Sequence, residues 1–124
     1  MKKLYKYLLN TLPRPLLIRL SYVFRVFAPL VYKGNKVDCP VCEKSFKKFL
    51  SYGSNVAHRD NVLCPYDLTL ERHRLMWVYL KDKSNFFTEE KLKVMHIAPE
   101  QCFHSKFKKQ NNLEYTTGDL LSPL

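Results

Sequence analysis

At 124 residues the chain is long enough for one ordinary domain with its own core. Its apolar content of 46% is that of a globular protein, and the absence of low-complexity tracts or internal repeats sets aside the disordered and fibrous classes. A formal charge of +10 allows contact with phosphate, nucleic acid or an anionic membrane surface without choosing among them. The four cysteines do not form the pattern of a secreted disulfide scaffold, so the chain reads as cytoplasmic, with metal-binding thiols.

Residues 1–36 form a basic amphipathic segment. Lys2, Lys3, Lys6, Arg14, Arg19, Arg25, Lys33 and Lys36 fall there, and no acid precedes Asp38. Apolar residues alternate with these cations over 1–32, and Pro13 and Pro15 divide any helix into two pieces. The beginning resembles the charged start of a signal peptide, but Lys6, Arg14, Arg19 and Arg25 interrupt every apolar run and no small-residue cleavage site follows; no stretch nears the roughly 18 apolar residues of a membrane span. Two readings stand: helices packing on the rest of the chain, or a peripheral anchor on anionic lipid through residues 1–32.

Residues 37–68 contain a cysteine module. Cys39-Pro40-Val41-Cys42 is a compact knuckle, and Cys64-Pro65-Tyr66-Asp67 repeats its shape after 21 intervening residues. Zinc takes four ligands in a tetrahedron, and a two-residue spacer lets both ends of one turn reach the same ion. The ligand set is Cys39, Cys42, Cys64 and Asp67, with a helix-capping role competing for Asp67 and His58 as the alternative fourth ligand. Phe46, Phe49, Leu50 and Tyr52 supply apolar contacts between the knuckles, and Gly53-Ser54-Asn55 reads as a turn.

Residues 69–91 connect this module to the last quarter of the chain. A helix is predicted over Leu70–Lys81, capped by Thr69 or Asp67. Leu75 to Leu80 is apolar nearly all round, which predicts burial between layers. Glu71-Arg72-His73-Arg74 at its head reads as a solvated turn with a Glu71–Arg74 ion pair, or as a contact to substrate or an acidic partner.

From residue 92 the pattern is strand, helix, strand. Val94 to Ala98 is a short apolar strand ending in Pro99-Glu100, Gln101–Lys109 can form a helix, and Leu113–Thr117 is a second strand closing on Gly118-Asp119. In open α/β sheets ligands bind beyond the carboxyl ends of the strands, so Ala98, Pro99 and Glu100 mark the place for chemistry. His96 reads as a satisfied core histidine, and Cys102 as a small buried hydrophobe. The fold class is thus α+β: N-terminal helices, a zinc-ribbon-like module, then the first βαβ unit of an incomplete Rossmann-like sheet over 92–124. Parallel sheets are normally covered on both faces, so the chain is expected to be the front piece of a longer enzyme, marginally folded in its last third.

Cys-Pro-x-Cys, Cys-Pro-x-x with Leu-Glu-Arg-His-Arg, Val-Met-His-Ile-Ala-Pro-Glu and Tyr-x-x-x-Asp-Leu together resemble bacterial class I S-adenosylmethionine-dependent methyltransferases that carry an N-terminal cysteine-rich knuckle. The resemblance spans roughly Cys39 to Leu120, with Asp67 in place of the usual fourth cysteine. It implies that Ala98-Pro99-Glu100 is the first cofactor loop, lying against the methionine part of S-adenosylmethionine. In most class I enzymes that loop is glycine-rich. Glu100 would meet the cofactor's ammonium group or cap the following helix, and Asp119 would accept hydrogen bonds from the ribose hydroxyls. The implied function is the amino-terminal portion of a methyltransferase, inactive as this portion alone, with an unidentified methyl acceptor and no nameable general base. The alternative is a small basic zinc-ribbon protein binding nucleic acid; it is not favoured, because Tyr and Phe fall in apolar runs instead of alternating with lysines as stacking platforms.

Overall fold

A computed structural model describes residues 11–53 and 56–120. The elements in order are α1 (Arg14–Val31), β1 (Lys33–Cys39), β2 (Lys44–Phe46), β3 (Leu50–Tyr52), β4 (Arg59–Leu63), α2 (Glu71–Lys83), β5 (Leu92–Ile97), α3 (Gln101–Phe107) and β6 (Leu113–Gly118). The first of the two expected N-terminal helical pieces, and Ser54-Asn55 of the expected turn, lie outside the described residues.

Pro13 is the N-cap of α1, and Pro15 lies in its first turn, where the missing N–H leaves no helical bond unmade. The helix then carries Pro29 in its last turns and closes with the Tyr32 N–H on the Ala28 carbonyl at 2.9 Å. Ala28 is buried, and Arg25 Nε donates to the Tyr66 carbonyl at 2.8 Å, which fixes that side of α1 to the second knuckle.

Three two-stranded sheets follow: antiparallel β1–β2 and β3–β4, and parallel β5–β6. The first knuckle forms the β1–β2 turn, and the second comes directly after β4. β5 and β6 pair in register from Leu92↔Leu113 to Ile97↔Gly118, with α3 as the connection, so 92–118 is a βαβ unit. Alternation divides its faces, strictly along β5 and as far as Thr117 along β6. Leu92, Val94, His96 and Tyr115 turn inward, while Met95 and Ile97 are about 70% exposed (68% and 72%) on a sheet that the described residues cover on one side.

One apolar cluster joins the knuckles to this unit. Cys39, Val41, Phe46, Phe49, Cys64, Phe86, Phe103 and Phe107 are buried together, and the Phe103 and Phe107 rings stack 5.1 Å apart, one helical turn separating them on α3. Removing either ring would cost about 3–5 kcal/mol. Lys106 Nζ donates to the Val41 carbonyl at 3.0 Å, a direct tie from α3 to the first knuckle.

Three local expectations are corrected. α2 is not buried between layers: Trp77, Met76 and Leu80 pack on the core, but Leu75 and Tyr79 are 72% and 59% exposed, because among the described residues one layer alone faces the helix. Glu71 pairs with Arg59 at 3.1 Å and not with Arg74. The cap of α2 is neither Thr69 nor Asp67: Leu70 is the N-cap, and its N–H donates to His73 Nδ1 at 3.1 Å.

Candidate functional site

The two knuckles share one backbone device. The Glu43 N–H donates to the Cys39 carbonyl at 2.8 Å, and the Leu68 N–H donates to the Cys64 carbonyl at 3.1 Å. Glu43 and Leu68 both adopt positive φ, 56° and 59°. Each turn therefore closes on its fifth residue in the left-handed region, and Asp67 holds in the second turn the place that Cys42 holds in the first.

Cys39, Cys42, Cys64 and Asp67 consequently converge, with their four ligand atoms all within 4.8 Å of one another. Cys39, Cys64 and Asp67 are buried and Cys42 is half-buried. Cys42 Sγ and Cys64 Sγ are 3.8 Å apart, and Cys39 Sγ is 3.6 Å from Asp67 Oδ2. Zinc bonds of about 2.3 Å to sulfur and about 2.0 Å to carboxylate oxygen set tetrahedral edges of about 3.8 Å between sulfurs and about 3.5 Å between sulfur and oxygen. The same separations serve thiol hydrogen bonds when protons fill the cluster. Hydrogen bonds from Cys42, then Cys64, hold the Cys39 thiol far below the ordinary thiol range, and the Cys42 thiol is correspondingly pushed up to about 12 and that of Cys64 upward. This three-sulfur, one-carboxylate group could hold a metal ion, and its donor set and spacing are compatible with zinc.

Thr69 orients the carboxylate. Its N–H and its hydroxyl both donate to Asp67 Oδ1, at 3.0 and 2.7 Å, which leaves Oδ2 toward the sulfurs. Asp67 is thus turned into the cluster and not onto the start of α2. His58 is exposed and lies 3.1 Å from Asp60, away from the four ligand atoms. Arg74 braces the second knuckle from behind: Nη1 donates to the carbonyls of Val62 and Thr69 at 2.9 and 2.8 Å, and the guanidinium sits 4.3 Å from the centre of the Phe49 ring.

The second candidate site is the corner at the carboxyl ends of β5 and β6. Ala98 is exposed and left-handed, with φ 50°, and its N–H donates to the Gly118 carbonyl at 2.8 Å, so Asp119 comes directly beside the turn. Pro99 is buried and Asp119 exposed. The Glu100 backbone is the N-cap of α3, but its side chain does not cap; it turns back to the histidines. His96 Nε2 lies 2.9 Å from Glu100 Oε2, and His96 Nδ1 lies 2.8 Å from the Tyr115 hydroxyl. A carboxylate only accepts, so the Tyr115 hydroxyl donates to His96 and His96 to Glu100. Burial, helped by the Glu100 charge, raises the Tyr115 phenol, in keeping with its donor role.

His73 stands across from this chain of hydrogen bonds. Its Nδ1 accepts from Leu70, which puts the ring proton on Nε2, buried and without a hydrogen-bond partner, 3.8 Å from Glu100 Oε1. Burial, then the Arg72 charge, holds the imidazole below its ordinary range. Arg25, Asp67, His73, Glu100, Cys102 and His104 line an open cleft of about 490 Å³ between α1, the second knuckle and α3. The cysteine–aspartate cluster and the strand-end turn therefore share a wall through Asp67 and Glu100.

No family model matches this chain, and no curated protein and no solved structure shows significant similarity to it.

Sequence reasoning missed Thr69 as the carboxylate's partner and Arg74 as the brace. The Thr two residues beyond a candidate ligand Asp was a usable signal, since Asp side chains bond backbone two residues on. Nothing local announces that Arg74 reaches two carbonyls from different segments.

Proposed function

We propose that this chain carries the donor-binding start of an S-adenosylmethionine-dependent methyltransferase, held in shape by a structural zinc ion on Cys39, Cys42, Cys64 and Asp67. The observation that supports the cofactor reading is the Ala98–Gly118 hydrogen bond at the ends of two parallel strands joined by a helix. It sets a tight, exposed turn next to an exposed carboxylate, Asp119, at the position where doubly wound sheets bind nucleotide ligands. A vicinal diol presents two hydroxyl donors to the two carboxylate oxygens of Asp119. Ala98 takes the left-handed backbone for which glycine is the usual residue, and its small side chain keeps the turn low.

When bound, the cofactor supplies an electrophilic sulfonium methyl, and the part of these residues is to bind and orient it. Glu100 offers its carboxylate for the ammonium group, held in place by His96. The bare outer face of β5–β6 is where a second helical layer lies in a doubly wound sheet. With a single βαβ unit forming the crevice, binding is expected to be weak.

The test is an NMR titration of the zinc-loaded chain with S-adenosylhomocysteine. The amides of Ala98, Glu100, Gly118 and Asp119 should shift together, and Asp119→Asn should weaken binding about ten-fold through loss of a charge-assisted hydrogen bond. Stationary resonances at those four positions, or an unchanged affinity in the variant, would reject the reading.

A further inference from the structure

The side of α1 turned away from the second knuckle carries an apolar stripe with no covering layer among the described residues. Leu16, Leu20, Val23, Phe24, Phe27 and Leu30 recur at spacings of three and four and are between 41% and 71% exposed. The helix is held to the body elsewhere on its circumference, by buried Ala28 and by the Arg25–Tyr66 hydrogen bond. Rotations of about 100° per residue put both away from the centre line of the stripe.

Charge identifies the occupant. The first 37 residues carry eight of the chain's cations and no acid, so most of its +10 is concentrated there. In the structure Arg19 lies exposed beside the stripe, and Lys33 and Lys36 are exposed just past the helix end. The Lys47 ammonium sits 5.5 Å from the centre of the Tyr32 ring at the same end. Nucleic acid would use the cations but not six exposed aliphatic and aromatic side chains. A neutral apolar partner would use the side chains but not the cations. An anionic bilayer surface uses both: phosphates meet the lysines and arginines while the stripe enters the boundary between headgroups and acyl chains.

We propose that α1 is an in-plane membrane-surface helix that docks this chain on anionic lipid. No helix among the described residues is long and apolar enough to cross a bilayer, so the contact is with one leaflet. The roughly 27 Å of an 18-residue helix lies flat on it.

The test is co-sedimentation of the full zinc-loaded chain with phosphatidylcholine vesicles, with and without phosphatidylglycerol. Partitioning should be at least ten-fold stronger on the anionic vesicles at low salt and should fall as salt rises. Phe24→Ser with Phe27→Ser should lower it at least ten-fold, with metal content and circular dichroism unchanged because both rings are exposed. Lys33→Gln should lower it by about five-fold. The proposal is overturned if the chain stays in the supernatant with anionic vesicles at low salt. It is equally overturned if the double variant sediments like the parent, or if the stripe proves to bury a second copy, seen as a dimer that the double serine variant dissociates.

Discussion

The N–H of Ala98 donates to the carbonyl of Gly118 at 2.8 Å while Ala98 itself holds φ at 50°. The left-handed region costs an L-residue about 1–2 kcal/mol, and glycine returns part of that gain through the unfolded chain, about 0.4–1 kcal/mol. Ala98→Gly should therefore stabilise by about 0.5–1 kcal/mol. Ala98→Val, with a branched β-carbon at the same φ, should destabilise by at least about 1 kcal/mol. Urea midpoints at constant m-value measure both, and a Val variant as stable as the parent would mean the turn is not held left-handed.

The proposed metal site makes its own demands. One zinc ion per chain should copurify and be retained by Asp67→Cys, because the backbone of the second knuckle already presents that position as it presents Cys42. Asp67→Ala should lose it. Thr69→Val should weaken affinity about ten- to a hundred-fold by releasing the carboxylate. Chelation should lower Tm by on the order of 10–20 °C, taking about 4 kcal/mol from metal present at a thousand times its Kd. Elemental analysis and thermal scans decide each point.

His73 links stability to pH. Its imidazole is held below the ordinary value of 6.5 by burial, so the unfolded chain binds the proton more readily than the folded one. This contribution is complete above about pH 6.5 and is lost as the pH falls toward the lowered folded value. Protonation also removes the Nδ1 acceptor for Leu70. His73→Gln keeps an acceptor at the third helical position and does not titrate. Its Tm should fall less between pH 7 and pH 5 than that of the parent; parallel curves would contradict the assignment.

Cys102 should be a slow thiol, in the company of Cys42 and Cys64 and unlike Cys39. Burial first, then the Glu100 and Asp67 charges, pushes Cys102 up to about 12, and its sulfur lies 3.5 Å from His73 Nδ1. At pH 8 iodoacetamide should leave the zinc-loaded chain nearly unmodified, then label Cys39 first after chelation, and reach Cys42, Cys64 and Cys102 quickly only in denaturant. Peptide mapping gives the order directly.

What could be read from the chain was what short-range pattern determines. The apolar run Val94–Ala98 and the segment Leu113–Thr117 marked β5 and β6 to within two residues, and the two Cys-Pro turns marked the four residues whose ligand atoms converge, because a turn of four residues carries its own geometry. What escaped depends on neighbours distant in sequence. The run from Leu75 to Leu80 suggested burial on all sides, but apolar character fills only as much core as facing layers supply. Glu71 found Arg59 on β4 in place of Arg74, and Arg74 was drawn to carbonyls at Val62 and Thr69. His73, read in the sequence as part of a solvated first turn, is buried and became both the partner of the α2 cap and the donor facing Glu100.

An aspartate at the fourth corner leaves the centre with an odd number of sulfurs. Peroxide or a disulfide reagent can join two of Cys39, Cys42 and Cys64, expelling any metal ion held there and stranding the third as a thiol or sulfenic acid. A four-cysteine centre would close instead into two bridges. Oxidative damage here should thus leave one reactive sulfur behind, which as a sulfenic acid condenses with glutathione and releases water, or as a thiol exchanges with oxidised glutathione, until thiol reductants restore it.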